Sequence, residues 1–182
     1  MAVKTFTTET LTSADTNTYL ANSGLVYVTS GTVSGTPSSI TVSSAFSSTY
    51  DHYQILVSNM TVTNSANLRM TFGSTVTGYY YGNPLTAMVG GAYDKTNGSN
   101  VAYIDLGNVL TTWDNDFNFQ VFAPNKATAT KVHGFGYTNN NSYGGLGSGI
   151  QTSLTSHTAF TLTLSTGAMS AGTVSVFGWR KP

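Results

Sequence analysis

Few side chains in this sequence could carry out acid–base chemistry. The chain holds one glutamate, Glu9, and six aspartates, whereas cleavage of a glycosidic bond needs two carboxyl groups across a cleft. Asp105 with Asp114 or Asp116 is the pairing that the sequence offers. The chain contains no G-x-S-x-G nucleophile elbow and no cysteine, so the usual nucleophile motifs are missing. We therefore expect a protein that is not an enzyme.

Metal-binding residues are equally sparse. Asp114, Asp116 and Asn118 alternate as they do in calcium loops, but the later glycine and the bidentate glutamate of an EF-hand are missing. A polar turn that leads into the next strand is one interpretation, and a calcium site of another type is the other. The histidines share no spacing typical of a zinc site; they are His52, His133 and His157. We expect no metal and no cofactor.

Two glycine-rich runs lie between the apolar segments. The run GGLGSG at 144–149 is superficially similar to a phosphate-binding loop. However, no Lys-Ser or Lys-Thr follows it, and no helix is expected after it to bind phosphate with its N-terminus. We interpret this run as a flexible hairpin loop, and GGAYDKTNGSN at 90–100 as a second loop.

Tyrosine is the residue type that most strongly indicates a binding surface. Tyr79, Tyr80 and Tyr81 are consecutive, and Tyr143 lies among asparagine and glycine. Because side chains alternate along a strand, at least one of the three consecutive tyrosines must face away from its neighbours. Exposed tyrosine gives a large contact area at low entropic cost. These four residues are candidate contacts to a glycan or a partner protein, and burial along a sheet edge or at a subunit interface is the alternative.

Charge is scarce along the whole chain. Only 8% of residues are charged, against about 25% in an average domain. Seven basic residues balance seven acidic ones and are scattered, so we expect no binding of duplex nucleic acid. A net charge near zero protects poorly against self-association, which favours a protein that lives in an assembly.

Targeting segments are not evident from the sequence. No apolar run approaches the roughly 20 residues that a membrane-spanning helix requires. The opening residues MAVKTFTTET lack the apolar stretch of a secretory signal. We therefore expect no membrane insertion and no export.

One short helix is predicted near the N-terminus. Thr12 is a good N-cap, Asp15 completes a variant of the capping box three residues later, and Gly24 provides the stop. The apolar face of this helix, which includes Tyr19 and Leu20, is narrow. A helix of about ten residues is marginal alone, so this one needs another surface to pack against.

From Leu25 onward the hydrophobic period is two, which is typical of strands. The pattern predicts ten strands, near 25–33, 39–43, 52–62, 66–72, 77–82, 101–107, 117–123, 130–138, 158–165 and 172–180. The clearest alternation predicts core faces formed by Phe160, Leu162 and Leu164 in one strand and by Tyr53, Ile55 and Val57 in another. Pro37, Pro84 and Pro124 fall at the inferred strand boundaries. Residues 25–182 are thus predicted to form one all-β domain, a sandwich or a barrel.

Three segments resemble structural proteins of tailed bacteriophages, in particular those of marine and cyanobacterial phages. TFTTETLTSADTNTYLANSGLVYV at 5–28 resembles the "LTAADVNTYL"-like run that opens appendage and virion proteins of this type. AFSSTYDHYQILVSNMTVTNSANLRMTF at 45–72 is similar to their Phe-Ser-Ser turn and the two strands that follow it. AGTVSVFGWRKP at 171–182 is similar to their closing strand. The middle of the chain, from about 85 to 150, has no counterpart and is expected to vary.

The resemblance implies a jelly-roll-like antiparallel β-sandwich that is a non-enzymatic part of a virion, assembled in the host cytoplasm. The sandwich would face outward as a capsid knob or decoration, or as a tail-fibre component, and such proteins are often homotrimers. Residues 1–24 would be a segment that docks on other virion proteins, with Leu11, Tyr19 and Leu20 as contacts. The alternative function is a carbohydrate-binding or receptor-binding module for glycans of the host surface.

Overall fold

The structure is a computed structural model of the 182-residue chain that describes residues 24–86, 93–111, 113–138 and 144–180. These residues form twelve β-strands: β1 Leu25–Thr32, β2 Ser39–Val42, β3 His52–Val62, β4 Ala66–Phe72, β5 Tyr79–Thr86, β6 Tyr93–Val101, β7 Ile104–Val109, β8 Asn115–Phe122, β9 Thr130–Thr138, β10 Gly144–Gln151, β11 Phe160–Leu164 and β12 Met169–Trp179. The predicted N-terminal helix lies outside the described residues, and so do its contact residues Leu11, Tyr19 and Leu20 and the candidate Tyr143.

The strands form two antiparallel sheets, which confirms the all-β prediction. The large sheet has the order β1-β12-β3-β8-β9-β10-β5-β6, and the small sheet has the order β2-β11-β4-β7. Four strands of each sheet form what we call the frame: β1, β12, β3 and β8 in the large sheet, and all four strands of the small sheet. The other four strands, β5, β6, β9 and β10, continue the large sheet beyond β8, and we call them the extension. The hairpin β5–β6 is inserted between β4 and β7, and the hairpin β9–β10 between β8 and β11.

The core lies between the two sheets of the frame and is built from the alternation that the sequence shows. Phe160, Leu162 and Leu164 of β11 are buried, as are Tyr53, Ile55 and Val57 of β3, which confirms both predicted core faces. The opposing strands supply further buried apolar side chains of the same kind, among them Leu68, Met70, Phe72, Val174 and Val176. Burying such a side chain stabilises the fold by about 1.5 to 3 kcal/mol, so the frame is held mainly by this apolar layer.

The extension corrects two predictions about loops. GGLGSG at 144–149 is not a flexible hairpin loop: it forms most of β10, which pairs with β9 on one side and β5 on the other. Most of the predicted loop at 90–100 is strand β6, which pairs with β5. Gly149 explains why glycine is used in β10. A Cβ there would lie 2.7 Å from Cγ2 of Ile104, so glycine lets β10 pass close over β7.

Strand β9 also carries glycine at inward positions, so that its large aromatic residues lie on the outward face. Gly134 and Gly136 face the interior, where an added Cβ would collide with the Asn118 carbonyl oxygen and with the Phe117 ring, respectively. The neighbouring residues Phe135 and Tyr137 therefore point to solvent. Backbone and ring atoms of β8 occupy the space that inward side chains of β9 would otherwise fill.

Pro84 lies inside β5, which corrects the prediction that it marks a strand boundary. The register between β10 and β5 runs from Gly145↔Leu85 to Ser148↔Gly82, with no pairing at Pro84 between them. At this interruption the buried Asn83 side chain donates a hydrogen bond to the Asp105 carbonyl oxygen and accepts one from the Ser148 amide at 3.3 Å. A side-chain amide thus links β5 to β7 and β10 where the proline lacks an N–H.

Candidate functional site

The acidic residues of the predicted carboxylate pair are not brought together. Asp105 lies on β7 in the small sheet and is only 3% exposed, and its carboxylate accepts hydrogen bonds from Asn67 Nδ2 at 2.7 Å and from the Gly107 amide at 3.0 Å. Asp116 lies on β8 in the large sheet and accepts a hydrogen bond from the Asn59 amide at 2.8 Å. Asp114 is exposed in the turn before β8. The structure therefore gives Asp105 and Asp116 separate local bonding roles.

Asp105 belongs to a polar and aromatic cluster that joins the frame to the extension. Burial raises the pKa of Asp105, while hydrogen bonds from Asn67 and Gly107 and the nearby Arg69 oppose the shift. The Arg69 guanidinium carbon lies 4.0 Å from the centre of the Tyr103 ring, a cation–π contact. Tyr103 in turn stacks on Tyr81 of β5 at 6.2 Å. Burial is also the main cause that raises the pKa of Tyr81.

The residues that the sequence analysis considered as metal ligands lie apart in the structure. His52 and His133 are on the outer face of the large sheet, whereas His157 is buried and stacks on Phe72 at 5.4 Å. Asn118 accepts a hydrogen bond from Gln54 rather than lying in a cluster with Asp114 and Asp116. Within the described residues, no group of three or more histidine or acidic side chains is placed to hold a metal ion.

The three consecutive tyrosines have three different environments. Tyr79 is fully buried, and its hydroxyl accepts a hydrogen bond from the Phe72 amide at 2.8 Å. It is therefore a core residue, which corrects its assignment as a surface contact, and burial raises its pKa. Tyr81 is half-buried in the cluster around Asp105. Tyr80 alone of the three is exposed, at 38%, on the outer face of the large sheet.

This outer face carries most of the exposed apolar side chains in the described residues. Six of the nine large exposed apolar residues lie on it, since they alternate with core residues along their strands: Leu25, Tyr27, Tyr80, Phe135, Tyr137 and Trp179. The other three, Val76, Trp113 and Leu154, lie in turns and connections. Clustered exposed apolar side chains typically mark an interaction surface. The outer face is therefore the candidate functional site.

Strand register aligns part of this face into a row that we call the cross-strand row. Directly paired residues on seven neighbouring strands form it, in the order Leu25, Trp179, His52, Phe122, Lys131, Ile150 and Tyr80. Side chains paired in this way lie on the same face and can contact each other. His52 and Phe122 do so, edge to face, with ring centres 5.1 Å apart.

Two depressions lie along the cross-strand row. The first has a volume of about 300 Å³ and is lined by His52, Gln120, Phe122, Trp179 and Arg180, with Tyr53 below them. The second, of about 470 Å³, is more open and includes Tyr80, Lys131, Ser148 and Ile150. A third depression, of about 220 Å³, lies elsewhere on the same face between Leu56, Asp116, Phe135 and Tyr137. The face is thus uneven enough to accept a ligand lying across the strands.

Sequence reasoning did not select Trp179, His52, Phe122 or Gln120 as binding residues. The sequence of β12 did contain an indication of an outer binding face. Val176 faces the core, but Phe177 and Trp179, which alternate with it, are apolar as well and face outward. A half-buried strand with apolar residues on both faces is not explained by the core alone. The remaining residues are brought into one row only by the pairing of strands that are distant in sequence.

Comparisons of the chain with protein families, curated proteins and solved structures found no match. The candidate site is therefore defined by the geometry of this chain. In the part of the chain that the structure describes, no helix has the length and apolar character needed to cross a membrane.

Proposed function

We propose that this chain is a non-enzymatic structural component of a bacteriophage virion. In this proposal residues 1–24 dock on another virion protein and the β-domain faces outward, as a capsid decoration or a tail-fibre-type appendage. The observation that carries the proposal is the position of the phage-like segments in the fold. Residues 45–72 contain β3 and β4 of the frame, and residues 171–182 contain most of β12.

The connectivity of the frame supports a jelly roll. Without the extension, the sheet orders are β1-β12-β3-β8 and β2-β11-β4-β7. Successive frame strands then cross between two four-stranded sheets, except that β4 and β7 are neighbours in the small sheet. This is the connectivity of eight-stranded jelly rolls, a fold used by viral capsid and lectin domains. The fold alone does not specify a function, so it supports the virion role only together with the phage-like segments.

The position of the extension supports the same interpretation. The strands β6 and β9 and all but the last residue of β10 lie between residues 85 and 150, the part of the chain that has no counterpart in the resembling phage proteins. The frame strands β7 and β8 lie in this part as well. A shared frame with a variable insertion is what we expect of virion proteins that keep one assembly role and differ in what they display. Function is often carried by such variable segments on a rigid scaffold.

Self-assembly is part of the proposal. The zero net charge and the exposed apolar residues of the outer face that lie off the cross-strand row, Tyr27, Phe135 and Tyr137, both favour association. We expect a homo-oligomer, with a trimer as the expected state. Light scattering coupled to size-exclusion chromatography measures this directly. A protein that remains monomeric at tens of micromolar would contradict this part of the proposal.

Particle association of truncated protein tests the docking role. We expect a variant that lacks residues 1–24 to keep the β-domain folded, as judged by circular dichroism, and to be lost from purified particles, as measured by quantitative mass spectrometry. A matched pair within the segment refines the test: L11S/Y19S/L20S should reduce occupancy, whereas S13A/T16A/T18A, which keeps the predicted N-cap Thr12, should reduce it less. Full occupancy of the truncated protein would overturn the docking role, and copy number per particle distinguishes capsid from tail.

A further inference from the structure

We propose that the cross-strand row binds a segment of an acidic polysaccharide, with the chain of sugars lying across the strands from Trp179 to Tyr80. This inference goes beyond the structural role, because a virion subunit needs no glycan ligand. Its failure would leave the proposed virion role untouched, since the two are tested by different measurements. The inference keeps Tyr80 among the expected glycan contacts and adds residues of neighbouring strands that the sequence analysis did not select.

The aromatic residues of the row support binding of sugar rings. Trp179 is 40% exposed and Tyr80 is 38% exposed, and between them Phe122 is held edge-on against His52. Apolar C–H faces of sugars pack on aromatic rings, and a ring that is already packed against its neighbours loses little freedom on binding. Both ends of the row and its middle thus offer stacking surfaces.

The length of the row favours a polymer over a single sugar. Trp179 and Tyr80 lie on β12 and β5, which are five strand spacings apart in the large sheet. At 4.7 to 4.9 Å per spacing this corresponds to about 24 Å, a length that several sugar units would span. The two depressions lie toward the two ends of this distance, so one chain would occupy both.

Polar side chains beside the row suit the hydroxyl groups of sugars. Gln120 lines the first depression, and its amide makes no side-chain hydrogen bond to other described residues. An amide offers two donors and an acceptor in one plane, so it can bind two neighbouring hydroxyl groups. His52 in the first depression and Ser148 in the second add further polar atoms.

Charge around the row favours an acidic sugar. Arg180 lines the first depression and Lys131 the second, and the described residues that line the two depressions include no aspartate or glutamate. Guanidinium and ammonium groups bind carboxylates through charge-assisted hydrogen bonds, so a polymer of uronic acids matches two cations spaced along a row.

A second copy of the chain fits this row less well. The row carries Lys131 and no acidic residue, so a second copy placed on it would bring no carboxylate of the row to pair with this cation. Self-association through the row is therefore an outcome of the test below and not the proposal.

Isothermal titration with defined oligomers tests the proposal on the full chain. The probes are a hexamer and a trimer of galacturonic acid, maltohexaose as the neutral hexamer, and oligothymidine of six nucleotides as a charged polymer without sugar hydroxyl patterns. We expect the acidic hexamer to bind at least about tenfold more tightly than the trimer or maltohexaose. Oligothymidine is expected to bind more weakly than the acidic hexamer.

Substitutions at the two ends of the row locate the site. W179A and Y80A, each at an exposed position, should each weaken binding of the acidic hexamer by about tenfold. R180A should remove most of the preference for the acidic over the neutral hexamer. The matched control is Y137A, an aromatic residue of the same face that lies off the row and is 52% exposed; it should change affinity by less than about twofold.

Four results would overturn the proposal. The first is no binding of the acidic hexamer, and the second is equal losses from Y137A and W179A. The third is equal or tighter binding of oligothymidine, which would assign the row to single-stranded nucleic acid. The fourth is an oligomer that W179A converts to monomer, which would assign the row to contacts between copies.

Discussion

The frame and the extension are built from the same kind of strand but are stabilised in different ways. In the frame, large apolar side chains alternate with polar ones and fill the space between two sheets. In the extension, glycine takes inward positions, and close backbone approach and side-chain amides hold the strands together. The frame can therefore be recognised from hydrophobic periodicity, whereas only β5 and β9 of the extension can. The extension also contributes three of the seven residues of the cross-strand row.

The largest expected effect tests the apolar basis of the frame. Leu162 is fully buried in β11, so L162A should lower the free energy of unfolding by about 3 kcal/mol through lost burial and a cavity. Urea denaturation followed by circular dichroism measures this, with one cooperative transition expected. The neighbouring T161A, at a partly exposed position, is the control and should cost less than about 1 kcal/mol. Equal losses of stability in L162A and T161A would contradict the conclusion that buried apolar side chains hold the frame together.

The next largest effect tests close packing in the extension. A Cβ at Gly134 would collide with backbone, whereas a Cβ at Gly82 would have nothing within 4 Å. We expect G134A to cost about 2 to 3 kcal/mol of stability, while G82A should be nearly neutral, within about 0.5 kcal/mol. Thermal and urea denaturation of both variants measure the difference. If both substitutions are neutral, close backbone approach does not hold β9 in place.

A third effect tests the amide link between β5 and its neighbours. N83A leaves the Asp105 carbonyl and the Ser148 amide without their buried partner, which should cost about 2 kcal/mol. Hydrogen exchange should become faster in β5 and β10 and remain unchanged in β3 and β12. N97A, at an exposed position of β6, is the matched control and should leave exchange unchanged. Faster exchange throughout the frame would show that the extension does not open as a separate unit.

The smallest effect concerns the segment that leads from the extension back to the frame. Burial lowers the pKa of His157 from its ordinary value of 6.5, so the unfolded chain binds a proton at a higher pH than the folded chain does. Stability should therefore fall as the pH is lowered from about 6.5 toward the folded pKa. The measurement is the free energy of unfolding between pH 7.5 and 5.5 for the native chain and for H157Q.

The variant H157Q should lose less stability on acidification than the native chain does. Burial raises the pKa of Asp105, so this group acts with the opposite sign and stabilises the fold as the pH falls toward the ordinary aspartate value of 3.8. The difference in pH dependence between the native chain and H157Q gives the contribution of His157 alone, because Asp105 is present in both proteins. An identical pH dependence in both proteins would exclude this role of His157.

All eight frame strands could be predicted from the sequence, and so could β5 and β9 of the extension. Each of the ten predicted strands corresponds to an observed one, and the core faces of β3 and β11 are correct because large apolar residues alternate there with polar ones. β6 and β10 were missed because glycine and asparagine, which usually indicate turns, occupy these paired strands. Pro84 was misplaced because a side chain, Asn83, compensates for the missing backbone hydrogen bond.

The candidate site, too, could be predicted from the sequence only in part. Tyr80 could be selected from the run of three tyrosines, but the sequence could not tell which of the three is buried, because that depends on the core beneath β5. Trp179, His52, Phe122 and Lys131 are far apart in the chain and become neighbours only through strand register. No local sequence pattern indicates which residues are paired between these strands.

By itself, the sequence determined an all-β chain with little charge, the positions of the frame strands and the faces that build its core. These features follow from residue type and a period of two, which act locally along the chain. The tertiary structure decided that glycine-rich runs become strands, that Phe135 and Tyr137 face solvent, and that seven residues align in one row. These outcomes depend on contacts between distant strands, and hydrophobic periodicity carries no information about which strands pair.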